Sequence, residues 1–297
     1  MMAEHVLALP PQYRVEDVLA FHGRDAEGLA EQVSENRVRK AVLLDGVPVL
    51  FDLRFGRDEV ACSIDADGER DTAGAPALAA QAALRSILAL RIDPAPFAGF
   101  VRDDLVFGPL VRRQPGLRIV QAATVFEALT WAIIGQQINL PFAISLRRSF
   151  IEQAGRPHSS GLWCYPEAED VARLDLETLT SRKFSRAKAE TLLRVARLAA
   201  DGSLPLGQDD DPQRAAAALL AVKGIGPWTV NYTLLRGYGY ADCSLHGDVA
   251  VRSAIGRLTG AAERPDLTQA EAWLAAYAPH RTMAAAYLWA SLNQPAG

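Results

Sequence analysis

Residues 212–239 read PQRAAAALLAVKGIGPWTVNYTLLRGYG, and the centre of this stretch decides the fold. Two runs with helical spacing flank Lys223-Gly224-Ile225-Gly226. Gly224 and Gly226 permit positive φ and close backbone approach. Pro227 suits the first helical position, where its missing N–H costs nothing. The turn therefore ends by exposing the free N–H groups of a helix start, a surface that attracts phosphate. Lys223 adds a positive charge beside it. The ordinary alternative is an αα-hairpin closed by a glycine. The longer pattern, apolar-x-Lys-Gly-Ile-Gly-Pro-Trp, favours a helix–hairpin–helix element that grips a nucleic-acid backbone without reading bases.

Asp248 follows Gly226 by 22 positions, after one helix and the loop YADCSLHG. It opens the run DVAVRSAIGRL, with Val251 and Ile255 one and two turns along the same face. The ordinary role of such an aspartate is a helix N-cap, worth about 1 kcal/mol. Its functional role would be a carboxylate held in a pocket and kept charged by the helix N-terminus. The hairpin upstream, at this distance, favours the second.

Working outward, residues 40–68 (KAVLLDGVPVLFDLRFGRDEVACSIDADG) hold three short apolar runs. Val47, Val49, Phe51, Leu53 and Phe55 share one face of a period-2 pattern; Pro48, Leu50, Asp52 and Arg54 form the more polar face. Asp45-Gly46 before it is a strong hairpin signal. Pro48 suits an edge or first-residue position. This predicts an antiparallel meander. Residues 15–33 before it and 75–90 after it have helical spacing, so an α+β domain of residues 1–95 is expected. RIDPAPFAGF (91–100) reads as a connector. Beyond it strand signals fade, and the last two hundred residues are expected to be all-α. Val125, Leu129 and Ile133 share one helical face, and a further amphipathic helix, 186–202, stops at Gly202.

The bulk composition is that of an ordinary soluble globular protein: 49% hydrophobic, 22% charged. A net charge of −4 does not point to nucleic acid, yet a local basic patch can supply phosphate contacts. Lys183, Arg186 and Lys188 form the densest such cluster. The three cysteines, Cys62, Cys164 and Cys243, show no CxxC spacing, which disfavours a disulfide framework, a zinc site and a four-cysteine iron–sulfur cluster. No apolar run reaches the ~18 residues of a membrane span, and the N-terminus lacks signal-peptide character. A cytoplasmic, monomeric protein is expected.

In KGIGPWTVNY and SLHGDVAVR the sequence resembles the helix–hairpin–helix DNA glycosylases, most closely their bacterial 3-methyladenine glycosylase II branch. FEALTWAIIGQQIN and YAPHRTMAAAYLW are similar to the first core helix and the entry to the C-terminal helix of that family. The resemblance implies a multidomain α+β chain: an N-terminal antiparallel sheet with helices, residues 1–95, then two all-α subdomains. One comprises 96–122 with 241–297. The other, 123–240, carries the hairpin. It implies a monofunctional hydrolase that flips alkylated purines from duplex DNA and leaves an abasic site. A non-catalytic DNA-lesion-binding module is the rival reading.

Residue by residue, Asp248 resembles the family's essential aspartate, which stabilises an oxocarbenium-like transition state. Trp228 stands where lyase-competent members carry a Schiff-base lysine. Trp228 and Tyr232 resemble an aromatic pocket wall, with Leu235 next on that face. Gln137 stands where the family inserts a wedge into the gap left by the flipped base. Lys223, Gly224, Ile225 and Gly226 resemble the backbone-binding hairpin. The main-chain oxygens of Leu220, Val222 and Ile225 are implied to hold a monovalent cation, Na+ or K+; no other cofactor is required. His280 departs from an aromatic that lines the pocket in the closest relatives. Histidine changes charge near neutral pH, and its cation would repel a charged base, so an altered substrate range or pH optimum is expected.

Overall fold

The computed structural model describes residues 4–68 and 75–292. The N-terminal part is a five-stranded antiparallel sheet in the order β1-β5-β4-β3-β2. Its strands are β1 (Glu4–Ala8), β2 (Glu31–Ser34), β3 (Arg37–Leu44), β4 (Val47–Phe55) and β5 (Glu59–Ala66). Asp45 and Gly46 both take positive φ, 52° and 75°, which is the turn that joins β3 to β4 in register with right-handed strand twist. The meander is thus as expected, with β1 and β2 added as edges. Pro48 is not at an edge. It is the second residue of the central strand, opposite Leu43.

Helix α1 (Val15–His22) and helix α2 (Ala75–Ile87) pack against this sheet. The helical spacing read over 15–33 fails in its second half. Gly23 caps α1, Gly28 turns the chain at φ 63°, and residues from Glu31 onward join the sheet as β2. Tertiary pairing there outweighs local propensity. The connector 91–100 holds a short helix, α3 (Ala95–Phe100), followed by α4 (Phe107–Arg113).

The helical part continues with α5 (Val125–Gly135), α6 (Leu140–Ala154), α7 (Ala168–Ala172), α8 (Leu176–Thr180) and α9 (Arg186–Ala200). Then come α10 (Pro212–Leu220), α11 (Pro227–Thr233), α12 (Val249–Thr259), α13 (Leu267–Ala275) and α14 (Arg281–Leu292). Helix α5 is central: every residue from Val125 to Ile134 is buried, not only the face of Val125, Leu129 and Ile133. A π-turn, Leu234–Tyr238, extends α11 until Gly239 stops it in the left-handed region.

The all-α expectation needs one correction. Strands β6 (Arg156–Pro157) and β7 (Trp163–Cys164) form a small ladder. Trp163 N–H donates to Leu29 O at 3.0 Å, and Leu43 N–H to Tyr165 O at 3.1 Å, so this ladder lies on the sheet. Leu162 and Cys164 bury Leu50 there, which explains why an apolar residue occupies the polar face of β4.

The sheet is also tied to α5 and α6 by a buried ionic cluster. Lys40, fully buried on β3, reaches Glu31 at 2.5 Å and Glu127 of α5 at 2.8 Å. Arg147 of α6 reaches Glu127 at 3.0 Å and Glu31 at 3.3 Å. His22 Nδ1 lies 3.1 Å from Glu31. Burial by itself would raise both carboxyls; the Arg147 and Lys40 cations more than offset it and hold Glu31 well below, and Glu127 below, the usual glutamate range. Charges this deep are tolerated only when paired.

Candidate active site

Asp248 is an N-cap, as its sequence position allows: its Oδ1 accepts from Val251 N–H at 2.9 Å. Val251 and Ile255 are buried, which points the start of α12 inward. Two indoles complete the carboxylate's surroundings. Trp228 Nε1 donates to Oδ2 at 3.0 Å, and Trp289 Nε1 of α14 donates to Oδ1 at 3.1 Å. All three partners are N–H donors, the set that suits an ionised carboxylate. A carboxylate has about four acceptor positions, so roughly one remains for a reacting group. The sequence reading missed Trp289; its only local signal is an indole on the polar-poor last helix.

The aromatic wall continues from Trp228. Its ring lies 5.2 Å from that of Tyr232 at 30°, and Trp131 Nε1 of α5 donates to Tyr232 Oη at 3.1 Å. Two guanidiniums face these rings. Arg236 lies 5.8 Å from the ring centroids of both Tyr232 and Trp289, and Arg24, from the loop after α1, lies 5.1 Å from that of Trp131. Phe21 of α1 lies between them, 3.7 Å from Arg24 and 4.8 Å from Arg236. The N-terminal part therefore contributes to the surroundings of Asp248. Leu235, third on the Trp228–Tyr232 face, is fully buried core.

In the hairpin, Gly224 has φ 97°, and a Cβ there would stand 2.2 Å from Thr191 Oγ1 of α9. Glycine is required on both grounds. Gly226 is extended at φ −110°, and a Cβ there would meet nothing within 4 Å, so the start of α11 faces open space. Lys223 is exposed. The carbonyls of Lys223 and Gly224 are taken by Arg194 at 2.9 Å and by Gln136 Nε2 at 3.2 Å. Among the described residues no side chain donates to the carbonyls of Leu220, Val222 or Ile225, though Ile225 N–H donates to Val222 O at 3.1 Å.

Gln137 is exposed at the loop after α5 and takes a left-handed φ of 56°, rare for a residue with a Cβ. His280 is half-buried; its ring lies 5.5 Å from Phe100 and 6.4 Å from Phe97 of α3. Its ring contacts are thus with α3, whereas Trp228 touches both Tyr232 and Asp248. The basic cluster divides. Lys183 and Arg186 are exposed, but Lys188 is buried and donates to the Ile134 and Gln136 carbonyls, so it does not present charge to a phosphate. Cys62, Cys164 and Cys243 are buried free thiols far apart in sequence; burial pushes them up to about 11, 12 and 12.

Residues 130–279 match the family described as HhH-GPD superfamily base excision DNA repair protein. The chain belongs to this superfamily. The matched stretch contains the hairpin and Asp248, whereas His280 and Trp289 lie just beyond it. The chain is 31% identical over 202 residues to a DNA-3-methyladenine glycosylase of Bacillus subtilis, covering 66% of this chain and 67% of the relative. It is 29% identical over 184 residues to DNA-3-methyladenine glycosylase 2 of Escherichia coli, covering 61% and 63%. The chain spans between 52% and 67% of the length of the first curated relatives it matches.

Among solved structures, a 3-methyladenine DNA-glycosylase from Archaeoglobus fulgidus superposes with a TM-score of 0.81 at 22% identity, over 96% of this chain and 97% of that one. An 8-oxoguanine glycosylase/lyase of Clostridium acetobutylicum gives 0.73 at 15%, over 97% and 98%. This chain therefore shares its fold with both, the N-terminal sheet included. No helix among the described residues is long and apolar enough to cross a membrane.

Proposed function

We propose that this chain is a monofunctional DNA glycosylase that flips alkylated purines of the 3-methyladenine type from duplex DNA and hydrolyses the N-glycosidic bond. The relatives named as DNA-3-methyladenine glycosylases support the substrate class. The observation that carries the reading is Asp248, held by Val251 N–H and the indole N–H groups of Trp228 and Trp289, with the Tyr232 ring tilted against that of Trp228.

In this reading an alkylated purine is cationic before it leaves, so its departure needs little acid catalysis. The developing positive charge falls on the sugar. Asp248, positioned rather than mobile, stabilises that charge and orients the water that captures it. Its donors are already in place, so little reorganisation accompanies the reaction. The aromatic faces of Trp228 and Tyr232 stack on the electron-poor base. His280 contributes at the margin of that pocket. Trp228 supplies no amine, so no Schiff base forms and the backbone is not cut.

The remaining parts bind DNA. The hairpin residues Lys223 to Gly226 hold the backbone, and Gln137 enters the minor groove. A monovalent cation on the Leu220, Val222 and Ile225 carbonyls would supply positive charge behind the hairpin; hard carbonyl oxygens suit Na+ or K+. The enzyme acts as a monomer on duplex DNA in the cytoplasm.

The test is release of free base from methylated duplex DNA, followed by alkali to reveal abasic sites. The expected result is 3-methyladenine release, intact strands before alkali, and loss of release in Asp248→Asn. Unaltered DNA binding with no release by the wild type would overturn catalysis. Strand scission without alkali would overturn monofunctionality.

A further inference from the structure

The wedge loop and the hairpin are joined by a brace centred on a buried lysine. Lys188 lies in the first turn of α9 and is 9% exposed. Among the described residues no carboxylate lies within ion-pair distance of it. Its Nζ donates instead to two carbonyls at the end of α5, those of Ile134 and Gln136, the latter at 3.0 Å. These are the orphan acceptors of a helix C-terminus, where the backbone also carries partial negative charge. Desolvation lowers the lysine's pKa, which marks how far the ammonium has been withdrawn from water.

Gln136 then carries the connection onward. Its main chain is held by Lys188, and its side chain donates to Gly224 O at 3.2 Å and Thr229 Oγ1 at 2.9 Å. One residue thus bonds α9 with its backbone and both sides of the hairpin turn with its amide. The next residue, Gln137, is exposed and left-handed. A residue with a Cβ stays in that conformation only where its surroundings hold it. The residue before Gln137 is fixed by the contacts of Lys188 and Gln136, and Asn139, two positions on, caps α6.

We propose that Lys188, acting through Gln136, is a positioning residue that sets Gln137 against the helix–hairpin–helix, so that backbone engagement and insertion into the duplex occur in one rigid geometry. The inference rests on Gln137 being the inserted residue. Lys188 touches neither DNA nor the reacting atoms; its effect falls on extrusion and gap filling. The ammonium is suited to this task because it binds two carbonyls at once, and an apolar side chain would take the donor from the buried Ile134 carbonyl and the part-buried Gln136 carbonyl.

The experiment uses the full chain and a duplex with a tetrahydrofuran abasic-site analogue opposite 2-aminopurine. Fluorescence is read at saturating protein, where insertion displaces the 2-aminopurine, and binding is titrated separately. The wild type should raise fluorescence, and Gln137→Ala should not. Lys188→Met and Gln136→Ala should each cut the rise by about fivefold, the effect of losing one firm contact. Lys188→Arg should restore it, and duplex affinity should stay within about twofold. A full rise in Lys188→Met would overturn the brace, as would a loss explained entirely by weaker binding. If Lys188→Met does not fold, Gln136→Ala decides, and a full rise there overturns it. A wild-type rise that Gln137→Ala leaves intact would overturn the wedge reading itself.

Discussion

Replacing Trp289 by phenylalanine tests how the site uses its indole clamp. The change removes one N–H donor to Asp248 Oδ1, at 3.1 Å, and keeps most of the aromatic volume. A hydrogen bond to a charged group is worth about 1.5–3 kcal/mol, which converts to roughly 10- to 150-fold in rate if it is felt in the transition state. Oδ1 keeps its bond from Val251 N–H and Oδ2 keeps Trp228. The carboxylate therefore stays in place, and the loss should fall near the lower end, about tenfold. The assay is single-turnover release of 3-methyladenine from methylated duplex DNA, with affinity for abasic-analogue duplex measured in parallel. The rate should fall and the affinity should not. A Trp289→Phe enzyme that works at the wild-type rate would refute the clamp. So would a rate loss accounted for entirely by weaker duplex affinity.

Lys40→Met should destabilise the fold by about 3–5 kcal/mol, read as a lower urea midpoint, because Glu31 and Glu127 would lose their shared ammonium and keep Arg147 between them, with the His22 ring still on Glu31. Acid should unfold the wild type through the same cluster. Both glutamates have folded pKa values below their unfolded value of about 4.5, so their contribution is complete above that value and is lost as pH falls through the folded ones. Circular dichroism against pH should show Glu127→Gln with a shallower acid dependence; an unchanged curve would refute the assignment. Gly224→Ala combines a left-handed φ with a 2.2 Å clash against Thr191, and should weaken both thermal stability and DNA binding by at least about 1–3 kcal/mol.

Legibility followed the range of the interactions concerned. Asp45-Gly46 specifies its hairpin through backbone preferences of two adjacent residues, and Gly224 to Pro227 specify theirs likewise. Asp248 carries a cap signal in its own first turn. The misreadings involve pairings that local spacing does not reveal. Residues 31–33 carry helical spacing yet pair with β3 just downstream as a sheet edge, and Leu50 looks misplaced until Leu162 and Cys164 cover it. Lys188 reads as surface charge because its two carbonyl partners lie more than fifty residues upstream. Pro48 is central because β5 and β3 close on either side of it.

Residue types and short spacings alone specify the hairpin, the helix that starts at Pro227, the aspartate 22 positions beyond Gly226, and the absence of an amine at Trp228. These are statements about residue type and short spacing, which backbone sterics and capping chemistry translate directly into local structure. What surrounds that aspartate is set by long-range packing. Trp289 lies 41 residues from Asp248, Trp131 lies 101 from Tyr232, and Arg24 comes from the far end of the chain. Indole N–H groups and guanidiniums carry no information about their partners until packing brings them within hydrogen-bond or stacking distance.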